Sequence, residues 1–165
     1  MMNISYLRDL FDYNYWRNKK IVQGTRKVQP WQFAAPTTYP FVSLHGTMVH
    51  AASAEWLWRQ RLQLSESPTS LPAKADYPTL DAVVEFWVNE EHEMRSWLST
   101  LTDADLEGRR TYNLLGGNTV TDSLSHCLAH VVNHGTQHCA EMAQMLTDYG
   151  VSPGNIDLIY WLRER

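Results

Sequence analysis

The sequence predicts an all-α protein built as a four-helix bundle. Three observations lead to this prediction. Four long segments place apolar residues at helical spacing, stretches rich in proline or glycine separate these segments, and no segment shows the strict alternation that is typical of a β-strand. Long helices with one apolar face bury that face against each other, which favours a bundle.

The first two predicted helices cover residues 4–24 and 41–63. Apolar residues recur every three or four positions in both segments, and Gly24 is a plausible end for the first helix. The stretch between the two helices is a predicted loop because it contains three prolines, Pro30, Pro36 and Pro40. Residues 64–78 also form a predicted loop, for the same reason.

The third predicted helix begins after Thr79, a suitable N-cap residue, and runs to Leu101. The longest one covers residues 120–149, and Gly150 follows it as the residue after the C-cap. Residues 102–119 form a connection with room for a short hairpin, and the apolar residues 156–162 predict a short last helix. Connections of this length permit crossovers between helices that are not neighbours.

Length and composition indicate one folded domain, residues 1–165. Hydrophobic residues make up 44% and charged residues 19%, which is typical of a globular protein. No apolar run reaches the roughly 18 residues of a membrane-spanning helix. The net charge of −4 argues against a nucleic-acid-binding surface. The N-terminus lacks the pattern of a secretory signal. The two cysteines, Cys127 and Cys139, are too far apart on one helix to form a disulfide with each other. We therefore expect a reducing, cytoplasmic setting.

Four of the seven histidines lie on the last long helix at four-residue spacing: His126, His130, His134 and His138. Residues four apart lie on nearly the same face of a helix, so two neighbouring imidazoles can bind one ion. The apolar face of this helix includes Val131 and Met142, and His134 and His138 are in phase with it. A pair of hydrogen-bonded core histidines is the alternative interpretation. Gly135 lies between the two, where a helix usually contains glycine because another backbone or a ligand approaches closely.

A third ligand has to come from another helix, and His50 is the best candidate because small residues follow it. His45 lies about 140° around the same helix and is expected to contact a loop or to cap the helix. His92 lies among glutamates, which indicates a solvated face.

Two segments carry a resemblance to the DinB-like proteins of the DinB/YfiT superfamily. The sequence SLHGTMVH at 43–50, followed by AEWLW at 54–58, resembles the second-helix motif of that family, and HVVNHGTQH at 130–138 resembles its fourth-helix motif. YNYWRN at 13–18 and DLIYWLR at 157–163 are also similar, so the resemblance extends over the whole chain.

The resemblance implies a four-helix bundle with up-down-down-up topology, a homodimer, and a divalent metal held by His50, His134 and His138. It also implies enzymes that use low-molecular-weight thiols, as transferases or isomerases, with hydrolases as a further class. Many relatives have His-Arg-Gly-Gln where this chain has His138-Cys139-Ala140-Glu141, so substrate preference does not carry over.

Three histidines suit zinc, nickel or iron and leave coordination positions open for water or a thiol. Together with such a site, the resemblance implies a metal-dependent enzyme, a thiol-dependent transferase or a hydrolase, that acts on a small molecule. A non-catalytic metal-binding or stress-response module is the alternative.

Several other residues are secondary candidates for the site. Glu55 and Glu141 are candidate acid–base groups or partners of a histidine, although for Glu141 we favour a salt-bridged surface carboxylate. Asn14 and Asn18 could orient a histidine or make ordinary hydrogen bonds between helices. Cys139 points away from His138 and is expected to be a buried structural residue.

Two surface features complete the prediction. The basic residues Arg17, Lys19, Lys20, Arg26 and Lys27 are expected to form a solvated face. Large aromatic residues suggest a homodimer, because a single bundle cannot easily cover all of Trp16, Trp56, Trp58 and Trp87.

Overall fold

The computed structural model describes residues 3–165 and is mostly helical. Four long helices dominate the described residues: α1 (Ile4–Thr25), α3 (Leu44–Leu62), α4 (Leu80–Thr100) and α6 (Leu124–Asp148). Shorter elements lie between and after them: α2 (Pro30–Ala34), a 3-10 turn (Lys74–Asp76), α5 (Asp103–Leu106), β1 (Arg109–Asn113), β2 (Thr119–Ser123) and α7 (Leu158–Glu164). None of the described helices is long and apolar enough to cross a membrane.

Each long helix begins where a short polar side chain caps its first turn. The cap accepts a hydrogen bond from a backbone N–H that has no partner inside the helix. The four caps are Asn3, Ser43, Thr79 and Ser123. At the other end of α6, Gly150 has a positive φ of 78°, as the sequence predicts for the residue after the C-cap.

The predicted loops contain more structure than their prolines and glycines indicate. Pro30 begins α2, because proline is tolerated in the first turn of a helix, where its missing N–H is not needed. Residues 119–123, partly assigned to the last long helix by the sequence, instead form β2, which pairs antiparallel with β1. The hairpin places Tyr112 and Val120 against the core, so the expectation of a purely α-helical chain is corrected here.

The bundle has two apolar clusters separated by a polar layer. The helix α6 packs against α1 and α3, and α4 packs against both α1 and α3. One cluster contains the first half of α1 and the start of α6, and the other contains the first half of α3 and the end of α6. The layer between them holds polar and charged side chains: Arg17, Asn18, Glu55, Arg59, Glu90, His134 and His138.

Candidate metal site

Three histidines from two helices converge at this polar layer. His50 lies on α3, and His134 and His138 lie one turn apart on α6. The Nε2 atom of His134 is 3.3 Å from Nε2 of His50 and 3.2 Å from Nε2 of His138. Ligand atoms of all three residues lie within 4.8 Å of one another. The structure therefore brings together the three residues that the helical phase and the resemblance select.

The spacing of these nitrogens fits a shared divalent ion. Nitrogen ligands bind zinc at about 2.0–2.1 Å, which places two ligands of one ion roughly 3.0–3.4 Å apart. In the described residues, the group of possible ligands contains these three histidines. The donor set therefore fits a divalent transition metal.

Burial keeps two of the histidines uncharged at neutral pH. It lowers the pKa of His50 to about 4, and the neighbouring His138 contributes in the same direction. The pKa of His134 is also lowered to about 4, again chiefly by burial and further by the other histidines nearby. Neutral imidazole is the form that binds a metal ion, because its unprotonated nitrogen carries the lone pair.

The carboxylate of Glu141 fixes the orientation of His138. Nδ1 of His138 donates a hydrogen bond of 2.7 Å to Oε2 of Glu141, because a carboxylate can only accept. With the proton on Nδ1, the lone pair of Nε2 faces the other two histidines. The interpretation of Glu141 as a surface carboxylate is wrong, since its side chain is only 17% exposed and contacts the site.

Phe41 forms a wall of the site that the sequence analysis did not identify. Its ring stacks on His50 at a centroid distance of 3.6 Å and meets His138 edge-on at 5.3 Å. The next residue, Val42, has a φ of 67°, and the N–H of Ser43 donates to the carbonyl of Phe41. This is a γ-turn of the strained type, and it holds Phe41 over the histidines. The sequence analysis assigned residues 41–43 to the second helix, which is wrong, because α3 begins at Leu44 and the turn at Val42 precedes it. Helical periodicity therefore could not predict the position of Phe41.

The remaining histidines lie outside the group. Nε2 of His45 is 2.7 Å from the carbonyl oxygen of Tyr77, which agrees with the predicted loop contact. His92 and His126 are exposed, and for His92 this agrees with the solvated face that the neighbouring glutamates indicate. The His130 ring contacts Trp58 and His134 at centroid distances of 5.0 and 5.7 Å, so it borders the site without joining the ligand group.

Glu55 is a buried carboxyl group in the centre of the bundle. The hydroxyl of Tyr15 donates to it at 2.5 Å, and the amide of Asn14 donates at 3.5 Å. The pKa of Glu55 is raised to about 7, chiefly by burial and also by the negative charges of Glu90 and Glu91, while the Tyr15 hydroxyl and the Trp87 indole N–H act to lower it. The structure therefore places Glu55 behind the histidines, not among the candidate ligands.

The candidates on α1 make contacts between helices. Asn14 accepts a hydrogen bond from Arg17 on the same helix and donates one to Glu55 on α3. Asn18 accepts one from the buried thiol of Cys139 on α6, so neither asparagine hydrogen-bonds to a histidine. Arg17 is fully buried and also donates to Thr136, which corrects its assignment to a solvated basic face. The burial of Cys139 agrees with its predicted structural role.

The aromatic residues are better covered than the sequence analysis expected. Trp87 is buried, with 5% of its surface exposed, and Trp16, Trp56 and Trp58 are half-buried. These four residues therefore no longer provide the argument for a dimer interface.

Comparison with known proteins identifies the family. The model of the DinB family matches residues 1–164. A search of curated proteins finds no significant match.

Proposed function

We propose that this chain, which belongs to the DinB family, binds a divalent transition metal through His50, His134 and His138 and is a metal-dependent enzyme. The proposed reaction is a thiol-dependent transfer or a hydrolysis on a small-molecule substrate. Zinc, nickel and iron all suit three imidazole ligands. The observation that carries the proposal is the convergence of three Nε2 atoms with spacings of 3.2 and 3.3 Å.

The number of ligands supports a catalytic role. A structural zinc site is usually closed by four protein ligands, whereas a catalytic one keeps an open position. The ligand group in the described residues has three members. A divalent ion held in this way acts as a Lewis acid and lowers the pKa of a water or thiol at the open position.

The residues of the chain have separate roles in this proposal. His50, His134 and His138 hold the ion, and Glu141 keeps the proton of His138 on Nδ1. Phe41 covers one side of His50 and excludes water from it. These roles require only the contacts that the folded chain already makes.

The first experiment is to replace His134 or His138 with alanine and to measure bound zinc and nickel by mass spectrometry. Both variants should lose the metal and any chelator-sensitive thiol-transfer or hydrolytic activity, while the helical circular dichroism signal stays. The apolar clusters on both sides of the site do not depend on the ion.

The variant His92→Ala is the matched control, because His92 is exposed and distant from the ligand group. It should keep both metal and activity. Unfolding of the His134 and His138 variants would instead indicate a structural metal site and would contradict the enzymatic proposal.

The alternative function is a non-catalytic metal-binding module. The cavity that His134 lines measures about 10 Å³, has room for a water molecule but not for a substrate, and is lined by neither His50 nor His138. Tight metal binding without activity towards low-molecular-weight thiols would support this alternative.

We also propose the up-down-down-up topology for the four long helices. Contacts between the helices support this topology. Along the contacts of α1 with α6, and of α3 with α4, the residue numbers of both helices increase together, so each of these pairs is parallel. Along the contacts of α3 with α6, and of α1 with α4, one set of numbers increases while the other decreases, so these pairs are antiparallel. The supporting contacts are Asn18–Cys139, Gly24–Leu146, Glu55–Trp87, Arg59–Glu90, His50–His138, Trp58–His130, Asp12–Arg95 and Arg26–Asp81.

The assembly we propose is a homodimer in the cytoplasm. Exposed apolar side chains such as Trp31 and Val88 support an interface, and the two free, buried cysteines suit a reducing compartment. Light scattering at micromolar concentration should give twice the mass of the chain, and a monomer mass would contradict the dimer.

A further inference from the structure

A small internal cavity lies between the candidate metal site and the buried carboxyl group of Glu55. Its volume is about 10 Å³, the size at which a single water molecule fits. Polar residues contribute much of its lining: Asn14, Asn18, Glu55, Trp87 and His134. A cavity with several polar partners binds water, whereas an apolar cavity of this size stays dry.

The indole N–H of Trp87 lacks a hydrogen-bond acceptor among the described residues. Trp87 is 95% buried, since 5% of its surface is exposed. Its N–H lies near enough to Glu55 to lower the pKa of that carboxyl group, but Nε1 makes no hydrogen bond of normal length within residues 3–165. Leaving a buried donor without a partner costs roughly 1–3 kcal/mol. Trp87 lines the cavity, so a water there would supply the missing acceptor.

Glu55 offers acceptor positions at the same cavity. Tyr15 and Asn14 donate one hydrogen bond each to its carboxyl oxygens. A carboxylate has about four lone-pair positions, so two donors leave it able to accept from a water as well.

His134 has one ring nitrogen to spare. Its hydrogen-bond contacts within the described residues run through Nε2, towards His50 and His138. A histidine that binds a metal through one nitrogen almost always donates the other N–H to a carboxylate, a carbonyl or a water. Glu141 supplies this partner for His138, but among residues 3–165 no group hydrogen-bonds to Nδ1 of His134.

We propose that Glu55 is a positioning residue for the metal site, and that it holds His134 through a water bound between them, with Trp87 as the third partner of that water. Nδ1–H of His134 donates to the water, the water donates to the Glu55 carboxyl group, and the Trp87 N–H donates to the water. The expected effect on metal affinity rests on the proposed function, whereas the expected orientation of the His134 ring does not.

The test uses Glu55→Gln and Trp87→Phe, with two readouts on the full chain. The first readout is zinc affinity, measured by competition with a chelator. Glu55→Gln should weaken zinc binding by roughly tenfold or more, in the range found for partners of metal-binding histidines. Trp87→Phe removes one of the three partners of the water and should have a smaller effect in the same direction.

The second readout is the tautomer of His134 in the metal-free protein, from ¹⁵N chemical shifts of labelled histidine. The wild-type ring should carry its proton on Nδ1, and Glu55→Gln should give a mixture of tautomers. A purely structural role for Glu55 would change stability without changing this signal.

Trp97→Phe provides the matched control, because it removes an indole of α4 that belongs to the other apolar cluster. This control should keep zinc affinity within about twofold and leave the tautomer of His134 unchanged.

The outcomes separate this inference from the proposed function. If wild-type protein binds none of zinc, nickel and iron but His134 carries its proton on Nδ1 in a Glu55-dependent way, the proposed function fails and the inference stands. If zinc binds and Glu55→Gln changes neither affinity nor tautomer, the inference is wrong. Tyr15→Phe, which removes a donor to Glu55, replaces Glu55→Gln if that variant does not fold.

Discussion

Gly135 lies in the middle of α6, where any side chain would meet two buried groups of α1. A Cβ atom at this position would lie 2.5 Å from Oδ1 of Asn14 and 3.0 Å from Nη2 of Arg17. These two atoms are hydrogen-bonded to each other. The sequence analysis expected a close approach of a backbone or a ligand here, and the structure shows side chains instead.

We therefore expect Gly135→Ala to destabilise the protein. The new methyl group must displace the Asn14 amide from the buried Arg17 guanidinium, and overpacking of this kind costs about 1–3 kcal/mol. Alanine favours a helix over glycine by up to about 1 kcal/mol, which offsets part of this cost. Urea unfolding measures the change in the free energy of unfolding.

Gly116 provides the control for this prediction. A Cβ atom there would have no neighbour within 4 Å, so Gly116→Ala should change stability by less than about 0.5 kcal/mol. Equal stability of Gly135→Ala and wild type would show that α1 and α6 can separate enough to admit the methyl group.

The sequence could predict the histidines of the site but not all of their neighbours. Phase on a helix is a local property, so the alignment of His134 and His138 with the apolar face was enough to select them from the four histidines at this spacing. Tyr15 reaches Glu55 across 40 positions of the chain, and such a contact depends on how two helices pack. Glu141 was within reach of the same local reasoning, because it lies three residues after His138 on one helix face.

At the scale of elements, the long helices were predictable because each has both a period and a cap. Thr79 caps α4 as predicted, and the bounds of α1 agree with the pattern to within one residue. The hairpin shows where periodicity is insufficient. Its strands have five residues each, and a run this short does not distinguish a strand from a helix end.

The start of α3 differs from its prediction for a physical reason. The sequence pattern begins at residue 41, but Ser43 caps the helix and Val42 adopts a left-handed conformation. A β-branched residue rarely has a positive φ, so the strain at Val42 was not predictable from its residue type. This turn also explains why Gly46 is needed, because a Cβ atom there would lie 2.1 Å from the carbonyl oxygen of Phe41.

At the scale of the whole molecule, the polar layer makes stability depend on pH. The apolar clusters on either side contain no ionisable carboxyl group, whereas the layer between them holds Glu55 and Glu90. Glu90 pairs with the buried Arg59, but Glu55 has neutral partners, Tyr15 and Asn14. Glu55 is therefore the carboxyl group of this layer whose ionisation lacks a directly paired cation.

The stability of the metal-free protein should consequently fall, through Glu55, as the pH rises from about 4.5 to about 7. In the unfolded chain Glu55 loses its proton near its ordinary pKa of 4.5, whereas burial raises its pKa in the folded protein to about 7. Between these values the folded state holds a proton that the unfolded state has lost, so each increase in pH favours unfolding. This loss of stability is absent below pH 4.5 and complete above pH 7, where it amounts to roughly 3 kcal/mol.

Glutamine does not ionise, so the measurement is the difference in unfolding free energy between wild type and Glu55→Gln, from urea titrations in chelator at several pH values. Other titrating groups contribute to both proteins and cancel to a first approximation. The wild type should lose stability relative to the variant as the pH rises, and a difference that stays constant or changes in the opposite direction would show that Glu55 is already ionised in the folded protein at acidic pH.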